Sequence, residues 1–103
     1  MDKQSVKVAK QFFKRLKKKF DIKKLILFGS RARGDNLKSS DYDFLVVSDD
    51  FKEQPFIFRA SELYDFWDEN VDFEPLCYTV KEFEKKKKQI GIVQQAVKEG
   101  IEI

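Results

Sequence analysis

Residues 27–47 read LFGSRARGDNLKSSDYDFLVV, and the way this stretch turns decides the fold. One apolar run ends at Gly29-Ser30, ten residues holding Gly, Asn and Ser follow, and a second apolar run opens on two aspartates spaced i, i+2. The runs at 24–28 (KLILF) and 42–48 (YDFLVVS) are short, rich in aliphatic and aromatic side chains and bounded by turn formers, so both are expected as central strands. Side chains on a strand alternate faces, which sends Asp41 and Asp43 to one side and Tyr42 to the other. The intervening GSRARGDNLKSS is expected to bend through a short helical turn reaching Arg33, with Ser30 as its cap.

Outward from that centre, helix and strand patterns alternate. Val6, Ala9, Phe13, Leu16 and Phe20 recur at spacings of three and four among lysines, which predicts an amphipathic helix over 3–20. Pro55 suits the first turn of a helix over about 55–69, with Ala60, Leu63 and Trp67 facing inward. Residues 71–79 (VDFEPLCYT) predict a third strand, which Pro75 assigns to a sheet edge or a bulge. Two short helices are expected in VKEFEKKKKQ and IVQQAVKEG, the second ended by Gly100 before a terminal IEI. The fold class is α/β in the α+β sense. At 103 residues the chain is expected to be one domain, 1–103, too short for separate catalytic and substrate-recognition domains.

Composition narrows the chemistry. Apolar residues are 42% of the chain and include eleven phenylalanines, enough for a core despite 38% charged residues, so disorder is not expected. So many phenylalanines in a small domain also admit an apolar patch covered by another subunit, a homo-oligomer. Histidine is absent, which removes His-dependent zinc sites, Ser-His-Asp triads and imidazole shuttles. Acid–base work falls to carboxylates or lysines. The lone Cys77 excludes an intramolecular disulfide, and no stretch has the length of a membrane span or the pattern of a signal peptide. The expected address is the cytoplasm, with no membrane partner. Residues 1–24 carry ten Lys/Arg against two Asp/Glu, whereas residues 35–84 carry fourteen acids against four bases. The basic first helix has no base-reading motif beside it, so nucleic acid is not an expected partner.

Three familiar phosphate or metal loops fail on the central stretch. Gly29 to Gly34 begins like a Walker A loop, but Asp35 and Asn36 stand where Lys and Ser/Thr are required. A dinucleotide fingerprint lacks its second glycine and its long helix. An EF-hand needs further oxygen ligands after Asp43, and Phe44, Leu45 and Val46 supply none.

The arrangement that does fit resembles the minimal nucleotidyltransferases of the DNA polymerase beta superfamily, whose signature is Gly-Ser, ten residues, then Asp-x-Asp. Gly29-Ser30 and Asp41-Tyr42-Asp43 complete that signature within LFGSRARG and SDYDFLVV. The order of helices and strands extends the resemblance over roughly the whole chain. The resemblance implies a polymerase beta-like nucleotidyltransferase fold, a small mixed β-sheet flanked by helices. It also implies a third carboxylate from the later strand, where VDFEP offers Asp72, preferred, and Glu74 on the same face.

Catalytic residues and metal ligands would then be Asp41, Asp43 and Asp72, with Gly29, Ser30 and Arg33 or Arg31 at the nucleotide. Attack on an α-phosphate builds charge on phosphate oxygens, which two carboxylate-held Mg²⁺ ions would neutralise. Gly29 would let the backbone approach the phosphates, Ser30 would donate to one of them, and Asp72 would take the proton of the acceptor hydroxyl. The implied activity is transfer of a nucleoside monophosphate, AMP from ATP, to a hydroxyl acceptor. Stand-alone members of the family are commonly encoded beside a small helical HEPN-type protein and act as antitoxins, some by adenylylating a tyrosine of the toxin. A HEPN-type protein and a nucleoside triphosphate are therefore the expected partners. The alternative is a non-catalytic nucleotide- or partner-binding module that masks a toxin by complex formation.

Overall fold

Lys24–Phe28 (β1) and Tyr42–Val47 (β2) form an antiparallel ladder running from Lys24 opposite Val47 to Phe28 opposite Asp43. The computed structural model describes residues 3–103, so the first two residues of the domain expected over 1–103 lie outside the described residues. Phe73–Tyr78 (β3) lies parallel to β2, and Ile101–Glu102 (β4) runs antiparallel to β1, giving a mixed sheet ordered β3-β2-β1-β4. Pro75 thus sits on an edge strand, where its missing N–H costs no ladder bond on the solvent side. Lys3–Leu16 (α1), Ser30–Arg33 (α2), Val80–Lys86 (α3) and Ile92–Glu99 (α4) complete the regular elements. No helix among the described residues is long and apolar enough to cross a membrane.

Strand alternation divides the sheet into two differently used faces. Leu25, Leu27, Tyr42, Phe44, Val46, Phe73 and Cys77 point to the face covered by α1 and join Phe12 and Leu16 in the larger core. Phe12, Phe44, Trp67 and Phe73 form a ring cluster there with centroids 4.8–6.5 Å apart, and the Trp67 indole N–H donates to the Val71 carbonyl at 2.7 Å. Ile26, Leu45, Val47 and Tyr78 point the other way, under Phe83 of α3 and Val93 and Ala96 of α4. Phe28, Asp43 and Glu74 continue this second face to the opposite end of the strands.

Two expectations need correction. The first helix stops at Leu16 rather than 20, and its buried stripe is Ser5, Val8, Ala9, Phe12 and Leu16; Phe13 and Val6 are only half-buried. The true stripe is set by Phe12 entering the ring cluster. No α-helix spans 55–69. Residues Phe56–Phe58 and Ser61–Phe66 are 3₁₀ turns closed by i→i+3 bonds such as Leu63 N–H to the Ala60 carbonyl at 3.0 Å. Three residues per turn bring Ala60, Leu63 and Phe66 onto one line against the core. The terminal IEI supplies β4, and Ile103 N–H donates to the Leu25 carbonyl at 2.8 Å.

Arg59 explains why the 55–66 segment takes this path. Its buried guanidinium donates to the Gln54 carbonyl at 2.9 Å, to the Cys77 carbonyl at 3.1 Å and to both carboxylate oxygens of Glu82. Glu82 in turn closes a capping box with Thr79 at the start of α3 and is held below the usual carboxylate range, chiefly by its bond to Arg59. Burial pushes the neighbouring Cys77 thiol up to about 12, the Arg59 charge opposing it. An unfolded thiol ionises near pH 8.5, so at pH 8 a thiol reagent should label native Cys77 about a thousandfold more slowly than the denatured chain. Stopped-flow labelling with and without denaturant checks this, and comparable rates would contradict it.

Candidate active site

At the end of β1 the chain must reverse beside Asp43, and Gly29 makes that possible. Gly29 has φ +76° and ψ −155°, a region open to glycine and strained for other residues. An added Cβ would overlap Asp43 Oδ2 and lie 3.1 Å from its Cγ. The carboxylate of the Asp-x-Asp motif therefore rests against the bare backbone of the Gly-Ser turn, so the two halves of the central stretch meet in space.

Gly29, rather than Ser30, occupies the cap position of α2. Its carbonyl accepts from the N–H groups of Ala32 and Arg33, both at 3.1 Å, and no side chain caps the turn. Ser30 is the first helical residue, and its hydroxyl makes no hydrogen bond among the described residues, which leaves it available to a ligand. Gly34, at φ +86°, ends the turn and donates to the Ser30 carbonyl at 2.8 Å.

Arg31 and Arg33 separate into two roles. Arg31 is buried: its Nε and Nη2 donate to the Ser40 carbonyl at 2.9 and 2.8 Å, Nη2 to the Lys38 carbonyl at 3.1 Å and Nη1 to Ser5 Oγ at 2.9 Å. Its guanidinium also stacks 4.0 Å over the Tyr42 ring. It is therefore committed to holding the 37–40 loop that delivers Asp41, and the expectation that it could meet a triphosphate is corrected. Nothing in the sequence distinguished the two arginines beyond helical position, which turns Arg31 inward. Arg33 is exposed, pairs with Asp35 at 3.2 Å and draws the Asp43 pKa down against the stronger influences raising it.

Asp43 is half-buried, and its carboxyl is raised first by burial and then by the charges of Glu74 and Asp41. The parallel register explains Glu74: it stands directly opposite Asp43, on the same face of β3. Asp72 lies one residue before β3, exposed, with its carbonyl accepting from Tyr42 N–H at 3.0 Å. Among the charges acting on Asp43, Glu74 comes first, ahead of Asp41 and Arg33. The residue that sequence pattern ranked second thus has the closer coupling. Register, which the sequence does not state, is the signal that separates it from Asp72.

The donor set suits a hard divalent cation: it is all oxygen, and its members repel one another when unpaired. Among the described residues no group of three or more acidic or Cys side chains is already drawn close enough to hold a metal ion. Asp41, Asp43 and a β3 carboxylate would have to close on a shared ion.

Comparison with known proteins places this geometry in context. A family model described as a nucleotidyltransferase domain matches residues 9–103. One relative from Methanocaldococcus jannaschii, named "putative protein adenylyltransferase", is 53% identical over 45 residues, which cover 42% of this chain and 45% of the relative. A second protein of the same name and organism is 34% identical over 59 residues, covering 57% of this chain and 65% of its own length. The matches therefore span about half to just under two thirds of these relatives. A solved structure from Sulfolobus solfataricus, described as a "putative nucleotidyltransferase", superposes with a TM-score of 0.66 at 28% identity, covering 96% of this chain and 78% of that one.

Proposed function

The chain belongs to the nucleotidyltransferase-domain family, and from that premise we propose that it transfers AMP from ATP to a hydroxyl group on a partner protein in a Mg²⁺-dependent reaction. The observation that carries this reading is the packing of the Asp43 carboxylate against the backbone of Gly29, which unites a phosphate-facing turn with a pair of acids. In the reaction the acceptor oxygen bonds to the α-phosphorus, the bond from that phosphorus to the bridging oxygen breaks, and pyrophosphate leaves. When bound, Mg²⁺ would neutralise charge developing on the phosphate oxygens. Asp41, Asp43 and a carboxylate of the β3 region, Glu74 or Asp72, would hold it.

The side chains have separable tasks. Gly29 permits close approach of the backbone, the Ser30 hydroxyl donates to a phosphate oxygen, and Arg33 offers a charge-assisted bond to the departing pyrophosphate. The β3 carboxylate accepts the proton of the acceptor hydroxyl. Without histidine, that proton has only carboxylates and lysines to go to. Asp41, Asp72 and Glu74 are exposed at the strand ends, which suits an acceptor carried by a macromolecule. We take that acceptor to be a HEPN-type helical protein, and the chain to act as its antitoxin. This step rests on the family resemblance alone; the names of the relatives support only a protein as the acceptor.

The third carboxylate gives a direct test. The register favours Glu74, so Glu74→Gln should lower transfer of label from α-³²P-ATP to the protein encoded beside this chain by about a hundredfold or more, the scale for losing one preorganised group. Asp72→Asn should stay within about threefold, the size of a peripheral charge effect on a reaction barrier. The reverse pattern would assign the role to Asp72. A stable complex with no label under any condition would instead favour a module that masks its partner without catalysis.

A further inference from the structure

We propose that the chain self-associates through an apolar face at the end of the sheet remote from the carboxylates, a second copy covering Phe56, Ile57, Ile90 and Ile92. The turn Phe56–Phe58 buries none of its three large side chains. Ile57 is 78% exposed and Ile90 98% exposed. These two segments are distant in sequence and continuous in space through Tyr78. The Phe56 ring lies 5.3 Å from that of Tyr78, and Tyr78 lines one shallow concavity with Ile90 and Ile92.

The exposure is held in place. Arg59, directly after the turn, is buried and bonded to Glu82 and to the Cys77 carbonyl, so the Phe56–Phe58 segment cannot fold its side chains inward without breaking that anchor. The apolar surface that Phe56, Ile57, Ile90 and Ile92 leave in water is on the order of 500 Å², at the upper end for a monomer. Pairing it with itself would bury about 1,000 Å² in total, the size at which a specific interface begins. Tyr78 stands four positions along β3 from Glu74, roughly 13 Å along the strand, so this face stands apart from the reaction proposed above.

Sedimentation velocity between 5 and 500 µM tests the proposal. The weight-average mass should climb from one chain towards two. Ile57→Asp and Ile90→Asp, both at exposed positions, should each weaken association at least tenfold with melting temperatures unchanged. A monomer at every concentration overturns it, including one that captures some other apolar ligand on this face. So does a dimer whose affinity neither substitution alters, because its interface would lie elsewhere.

Discussion

Asp43→Asn should leave the fold intact and reduce transfer of label from α-³²P-ATP by at least about a thousandfold, the upper range for removing one preorganised electrostatic group. The amide is isosteric with the carboxylate and can still lie against Gly29, so the turn survives while the cation ligand is lost. Stability should move the other way. Burial, Glu74 and Asp41 raise the Asp43 carboxyl in the folded state, so folding favours its protonated form and the ionised form opposes folding once pH exceeds the folded-state value. Removing that charge at pH 7 should therefore raise the melting temperature. Activity lost together with stability gained is the signature of a residue kept for chemistry. Calorimetry beside the labelling assay checks both halves, and unchanged labelling would remove Asp43 from the site.

Gly29→Ala should lower both quantities at once. Forcing an L side chain to φ +76° costs about 1–3 kcal/mol in backbone strain, and the overlap with Asp43 Oδ2 must then be relieved by moving the carboxylate or the turn. A total loss of roughly 2–4 kcal/mol is expected from chemical denaturation. Because Asp43 is displaced, transfer should fall about a hundredfold or more, the penalty typical of misplacing a reacting group by an ångström. A variant of wild-type activity would mean that the contact between turn and acid is incidental. The two substitutions thus affect one contact from opposite sides and differ in the sign of their effect on stability.

Local signals explain what was legible in advance. The strands at 24–28 and 42–47, the α2 turn and the helices at 80–86 and 92–99 follow from short-range patterning, as does the proximity of Gly29 and Ser30 to Asp41 and Asp43 across one hairpin-like ladder. The segment 55–66 was misread because Pro55 and the spacing of Ala60, Leu63 and Trp67 satisfy a helix as readily as two 3₁₀ turns. The choice was made by Arg59 reaching Glu82 and the Cys77 carbonyl, partners eighteen and more residues away. Ala9, Leu16 and Phe20 are buried as the pattern predicts, while Ser5 and Phe12 take the places expected for Val6 and Phe13, because Phe12 and Phe13 are equivalent in a local pattern and only the ring cluster distinguishes them.

From the linear order of residues alone came the reaction class, the family signature and the alternation that sends Asp41 and Asp43 to one side, since turn chemistry and strand period act over a few neighbouring residues. Tertiary structure decided that Glu74 faces Asp43, that Arg31 holds a loop while Arg33 stays free of it, and that residues 101–102 form an edge strand. Each of those outcomes depends on register or burial between segments far apart in the chain, and no local pattern encodes which distant partner a side chain will meet.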